Sequence, residues 1–276
     1  MKETRAEYLP IQKLRPFEGH PFKVTDNEEM DQLTWSILTQ GLLTPLVVRP
    51  LDNGEYEVIS GHRRLHACKK AGIETVPALI TDMNRDAATI ALVDSNLQRE
   101  HILPSEKAFA YKLKLEAMNH QGRTSGQVGQ KWSRDEIAEG ESGRQVQRYI
   151  RLTNLIPGIL QKVDEGRIAL TPAVELSYLT DAEQEDLLET MESEDCTPSL
   201  SQAIQMKTLS QSGQLVMDAI FHIMTQPKAN QQGKISFRTE DVRKYFPKNY
   251  TNAQMQDAIF RLLEGYQRQR QREQER

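Results

Sequence analysis

Two arginine-bearing segments carry the residues with the clearest chemical meaning. In Ser60-Gly61-His62-Arg63-Arg64, a strand-like run (Tyr56 to Ile59) gives way to a helical pattern. Glycine at such a junction lets a ligand approach the backbone closely. The first N–H groups of a helix have no partner within it and attract anions. Two arginines beside them add charge-assisted donors. The segment has the parts of a phosphate cradle, although a surface helix opened by two arginines would look the same. The second segment, Ser142 to Leu152, holds three arginines and no acid. Ser133 with Glu136, and Ser142 with Gln145, read as capping boxes. They open two short helices, Ser133–Glu139 and Ser142–Leu152, joined by Gly140-Glu141, which is a helix-turn-helix layout.

In the second of these helices Val146, Tyr149 and Ile150 fall on an inward side, and Arg144, Arg148 and Arg151 fall on another. Arginine pairs with guanine and glutamine with adenine in the major groove, and the N-terminal part of a recognition helix reaches the bases. Arg144, Gln145 and Arg148 are therefore assigned to base or near-base contacts and Arg151 to phosphate. Ser142, Gly143 and Gln147 complete the candidate DNA-binding set. An ordinary surface helix bearing arginines for solubility fits the local pattern equally well.

Other chemistries find little support. The six histidines (His20, His62, His66, His101, His120, His222) show neither zinc-type spacing nor an HExxH motif. Cys68 and Cys196 form no CxxC pair and have no local catalytic signature. Two distant cysteines fit a reducing cytosol. No apolar run approaches the ~20 residues of a membrane helix, and Met1 to Arg5 leads into no signal core, so a cytoplasmic location is expected. The net charge is −4 and the pI about 5.9, which weighs against a generally basic coat. Charge is nevertheless uneven, with eight acids and no base between Thr180 and Asp195.

The elements that must position these residues follow from periodicity. The 276 residues suggest two domains with a small third. Ile11–Leu14, Pro45–Arg49, Tyr56–Ile59 and Val76–Ile80 read as strands. Asn27–Gln40, Arg63–Ala71 and Ala87–Glu100 read as helices, with Gly41 and Gly72 as stops. Asp52-Asn53-Gly54 has hairpin chemistry. Strand signals cease from Pro104 onward. Ser105–Asn119 is helical and Gly122–Gln130 a loop. Thr171-Pro172 reads as an N-cap and first helical residue, and Thr180 with Glu183 as a capping box. Thr180–Asp195 reads as an amphipathic helix with a solvated charged face. In the last helix Met255, Ala258, Ile259, Leu262, Leu263 and Tyr266 make one apolar stripe. The tail Gln267–Arg276 reads as frayed. The expected class is α+β for residues 1–103, then an all-α helix-turn-helix domain at 104–193. A linker and small helical unit follow at 194–276.

In order along the chain, several motifs resemble the ParB/RepB family of partition proteins, whose N-terminal domain is sulfiredoxin-like. Gly41-Leu-Leu-Thr-Pro-Leu46, Gly61-His-Arg-Arg64 and Ser95-Asn-Leu-Gln-Arg-Glu100 resemble its three nucleotide motifs. Leu103-Pro-Ser-Glu-Lys-Ala108 and Ser142 to Leu155 resemble its DNA-binding domain, in the form carried by mobile elements and plasmids. The resemblance implies a CTP-binding site of Gly41, Thr44, Pro45, Leu46, Gly61, His62, Arg63, Arg64, Ser95, Asn96 and Arg99. It implies Mg2+ at Asn96 with Asp94 in reach, and a homodimer on a double-stranded centromere-like site. A ParA-type ATPase partner and nucleoid or plasmid association are implied as well. Three positions depart from the family pattern: His62 and Ser95 stand where glutamates are usual, and Thr44 where glutamine is. These departures weigh against hydrolysis beyond a weak CTPase. The alternatives are a regulator of the same fold without a nucleotide switch, or an enzyme on that fold, nuclease or kinase-like.

Overall fold

The computed structural model describes residues 4–99, 101–124, 141–226, 242–247 and 250–274. The chain divides into two units, Met1–Gln226 and Pro227–Arg276. The first begins with a five-stranded sheet of β1 (Thr4–Pro10), β2 (Leu14–Pro16), β3 (Leu46–Pro50), β4 (Tyr56–Ser60) and β5 (Thr75–Thr81), in the order β1-β5-β3-β4-β2. β5 runs parallel to β3 and antiparallel to β1. β4 runs antiparallel to β3 and parallel to β2. Helices α1 (Glu28–Gln40), α2 (His62–Lys70) and α3 (Arg85–Leu97) complete this part.

Alternation along β4 divides the packing. Val58 joins a core with Met30 and Ile37 of α1 and Leu65 and Ala67 of α2. Its neighbour Ile59 joins Phe17, Phe22 and the α3 residues Ala88, Leu92 and Val93. Successive strand residues point to opposite faces, so α1 and α2 serve one face and α3 the other.

Capping chemistry places the helix starts. Asn27 accepts the Met30 N–H and Asn84 the Ala87 N–H. Two elements near the N-terminus depart from expectation. Ile11–Lys13 is a 3-10 turn, and strand geometry resumes only at Leu14. β1 carries no apolar alternation, with Leu9 its one buried residue. It is a strand because β5 offers it a full ladder from Thr4↔Thr81 to Pro10↔Thr75.

The rest of the first unit is helical: α4 (Pro104–Thr124), α5 (Gly143–Arg151), α6 (Pro157–Asp164), α7 (Leu170–Leu176), α8 (Asp181–Ser193), α9 (Leu200–Gln211) and α10 (Met217–Thr225). The expected helix Ser133–Glu139 and most of the loop 122–130 lie outside the described residues. Helix α7 starts after Ala169, so Thr171 lies within it and is not its cap. The capping box at Thr180 and Glu183 is present in both directions. Leu187 and Met191 of the acidic α8 are buried in a core that also takes Ala203 and Met206 of α9 and Ile220 and Ile223 of α10. That core runs continuously across residues 193 and 194. The second unit contains α11 (Asn252–Gln274), on which Phe260, Leu262, Leu263 and Tyr266 are exposed. No helix among the described residues is long and apolar enough to cross a membrane.

Candidate functional site

The junction between β4 and α2 builds the first site. Gly61 is the N-cap of α2 with φ +102°, a conformation side-chain-bearing residues rarely adopt. A Cβ there would stand 2.6 Å from Leu46 Cδ2, so any other residue would force the buried Leu46 side chain to shift. No side chain caps the helix end, which leaves the first N–H groups of α2 for a ligand. They border a cavity of about 610 Å³ lined by Glu29, Gln32 and Leu33 of α1, Ser60 to Arg64, and Ser95, Asn96 and Arg99. Segments expected to cooperate from sequence thus converge: Gly61, His62, Arg63, Arg64, Ser95, Asn96 and Arg99 share one wall system.

The charges in it are unevenly compensated. Arg64 Nη1 donates to the carbonyls of Thr44 (2.6 Å) and Pro45 (3.0 Å), partners without formal charge. Burial lowers the Arg64 pKa from its ordinary value. Burial also lowers that of Arg99, with the charge of Arg63 acting in the same direction. Arg63 Nη2 donates to Glu29 Oε2 at 2.9 Å. Three guanidinium groups therefore face one carboxylate of the cavity wall, with Glu106 acting on Arg99 from outside it. Asn96 is 4% exposed. Its Nδ2 donates to the Leu92 carbonyl at 2.8 Å, while its Oδ1 is buried without a hydrogen-bond partner. A buried acceptor left open is costly unless a ligand supplies a donor or a cation.

The sequence placed four further residues here that the cavity wall does not include. Gly41 ends α1 with φ +74°. Thr44 and Pro45 act through carbonyls that brace Arg64, and Leu46 lies fully buried beneath Gly61. Conversely, Glu29, Gln32 and Leu33 were missed. Their spacing of three and four along α1 was the available signal, but nothing local shows that this face turns toward Gly61.

His62 is buried, and its Nε2 accepts the Phe17 N–H at 3.3 Å. Its ring lies 3.9 Å from that of His20, whose Nδ1 donates to the Phe22 carbonyl at 2.6 Å. Burial first, then the neighbouring His20 and Arg99, hold the His62 pKa down to about 3. His62 is thus a neutral fastener between α2 and the 17–22 segment.

Asp94 is not a cavity residue. Its carboxylate meets Lys114 Nζ of α4 at 2.5 Å, and that lysine is buried. Among the described residues no group of three or more His, Cys, Asp or Glu could hold a metal. Magnesium prefers carboxylate oxygens, phosphates and water. One neutral oxygen from Asn96 and a carboxylate committed to Arg63 do not make a site by themselves.

The second site is α5. Ser142 caps it by accepting the Gln145 N–H at 3.2 Å. Gln145 Oε1 instead accepts from Arg148 Nη1 at 3.1 Å, and Arg148 Nη2 donates to Thr171 Oγ1 at 2.6 Å. Arg148 is therefore held in a fixed position. Arg144 is exposed, Gln147 is half-buried, and Gly143 is buried with Val146. Arg151, expected at phosphate, is tied down within the fold. It donates to Ser177 Oγ at 3.2 Å and to the Ser177 carbonyl at 3.1 Å, and stacks 3.7 Å from the Tyr178 ring centre. The partner helix of the expected pair lies outside the described residues.

Comparisons with known proteins bear on the family to which the chain is similar. The chain is 38% identical over 119 residues to the nucleoid occlusion protein of Geobacillus sp. (strain WCH70), covering 43% of this chain and 42% of that one. It is 36% identical over 181 residues to the chromosome-partitioning protein Spo0J of Thermus thermophilus, covering 65% of this chain and 61% of that one. It thus spans about two fifths to three fifths of the length of these relatives. The C-terminally truncated ParB of Caulobacter crescentus, solved in complex with the centromeric parS site, aligns over 75% of this chain and 99% of that one. Identity there is 22% and the TM-score 0.45. The family model of the ParB N-terminal domain matches residues 1–97. That match takes in about a third of the chain, and it is through residues 1–97 that the chain is similar to the ParB family.

Proposed function

We propose that the chain is a site-specific DNA-binding protein of DNA partition whose N-terminal cavity binds CTP. The observation that carries this reading is the cavity itself. A helix end without a cap, three arginines and a buried, unpartnered amide oxygen meet around one space. Phosphate oxygens would take the N–H groups of α2, with Arg63, Arg64 and Arg99 supplying charge. Arg64 is already oriented by two carbonyls, so little freedom is lost when it engages. Asn96 Oδ1 would accept a donor from the ligand or bear on its cation. The geometry supports a polyphosphate anion, and the family resemblance supplies the base. With Asp94 on Lys114 and His62 neutral and buried, the reading is of a nucleotide that is bound and turned over slowly if at all.

For DNA, exposed Arg144 and braced Arg148 would read base edges from α5. One strut joins the two sites. Helix α3 carries Asn96 and, through Asp94, is paired to Lys114 of α4. Helix α4 also carries Lys107, which donates to Glu141 at 2.9 Å, next to the cap of α5. Nucleotide and DNA would thus act on one connected set of helices, as a homodimer on a palindromic site. A ParA-type partner stays part of the resemblance.

Calorimetric titration of CTP with magnesium, into the full chain and an Arg63→Ala/Arg64→Ala variant, tests the reading. Two lost charge-assisted contacts should weaken binding about 100-fold or more. No binding to the unmodified chain, even with its target DNA present, would leave a plain DNA-binding protein on this fold.

A further inference from the structure

We propose that Glu29 is an internal competitor of the phosphate cradle: its carboxylate holds Arg63, and a polyphosphate ligand must displace it to engage that arginine. The inference rests on the cavity being an anion site, though not on the identity of the base. Glu29 is the one acid among the described residues that line the cavity, and it meets Arg63 at 2.9 Å. Its side chain is 70% exposed, so it can turn into water at little cost. The partners of Arg64 are carbonyls, which carry no charge to be displaced. Nor is Glu29 needed to fasten α1 to α2. Lys70 pairs with Asp31 at 2.7 Å, His66 meets Asp26 at 3.0 Å, and Met30, Ile37 and Leu65 pack between the helices. The open Oδ1 of Asn96, nine-tenths buried on the same wall, independently marks the cavity as built for a ligand.

The competition makes affinity depend on the charge the ligand brings. An anion that reaches Arg63 gives up part of its attraction to releasing Glu29. Neutralising that carboxylate should tighten binding about two- to five-fold, the scale of an exposed ion pair. The gain should shrink as salt screens the pair.

The test is calorimetric titration of inorganic tripolyphosphate and of CTP into the full chain, Glu29→Gln and Asp31→Asn, at low salt and at about 0.3 M salt. The expected result is tighter binding of both ligands by Glu29→Gln at low salt and less gain at high salt. Asp31→Asn, which removes an acid of the same helix outside the cavity, should bind as the unmodified chain does. Equal CTP affinity for the chain and Glu29→Gln overturns the competition and leaves the nucleotide reading standing. Weaker binding by Glu29→Gln also overturns it, because Glu29 would then assist the ligand or its cation. Tighter tripolyphosphate binding with no CTP bound by either protein supports the competition and removes the nucleotide reading. No binding of either anion to either protein overturns both.

Discussion

At the scale of single residues, His62 shows how a titratable side chain beside a binding cavity can be committed to the fold. It sits at the first position of α2, where its Nε2 accepts the Phe17 N–H and its ring lies tilted against that of His20. Folding holds it neutral down to about pH 3, whereas the unfolded chain protonates it near 6.5. Between those values the unfolded state binds more protons, so stability falls as pH drops through that window. By pH 5 the loss from this group is about 2 kcal/mol relative to pH 7. His62→Gln keeps an acceptor for Phe17 and should remove that loss. Urea denaturation at pH 7 and pH 5 measures it, and an unchanged pH dependence would mean that His62 is not held neutral. Gly61 makes a second case. Gly61→Ala faces both the positive φ and the Leu46 side chain, and should cost about 2–4 kcal/mol while distorting the cradle. A shifted denaturation midpoint with CTP binding lost is the expected reading.

At the scale of elements, α5 is an instrument aimed by its neighbours. Its Ser142 cap, and the hold of Thr171 on Arg148, present one arginine in a fixed place, while Ser177 and Tyr178 hold Arg151 back. The two arginines should therefore respond differently. Arg148→Ala should weaken specific DNA binding about 10- to 100-fold with little change in melting temperature. Arg151→Ala should lower stability more than affinity, since it removes packing on Tyr178 and two hydrogen bonds. Fluorescence anisotropy with a target duplex, paired with thermal melts, separates them. Equal losses of affinity would mean that Arg151 leaves Ser177 to reach DNA.

At the scale of the whole molecule, the decisive fact is the extent of the second core. Helices α9 and α10 place Ala203, Met206, Ile220 and Ile223 against Leu187 and Met191 of α8. Gln202 Nε2 donates to the Ile223 carbonyl at 2.7 Å, so α9 and α10 are also hydrogen-bonded in the interior. A chain ending at Ser193 would expose that core, and one ending at Gln226 would keep it. The shorter fragment should melt at least about 10 °C lower or aggregate, whereas 1–226 should melt cooperatively near the full chain. Circular dichroism of both fragments checks this, and a stable 1–193 fragment would refute a shared core.

What the amino-acid sequence determined by itself was local. Asn27, Ser142 and the Thr180–Glu183 box mark helix starts because capping needs only a short stretch of chain. Gly61 marks the start of α2 because its φ and the uncapped N–H groups belong to one turn. The convergence of Ser95 to Arg99 on that turn was legible only through motif order. What the tertiary structure alone decided depends on partners distant in sequence. β1 is a strand because β5 pairs with it. Glu29 lines the cavity because α1 packs on α2, and Asp94 leaves it because Lys114 waits on α4. Arg151 is tied to Ser177 and Tyr178 because folding brings that corner under it. For Glu29, Asp94 and Arg151 the side chain's own chemistry is unchanged, and its role is set by the charge or ring that folding brings within 4 Å.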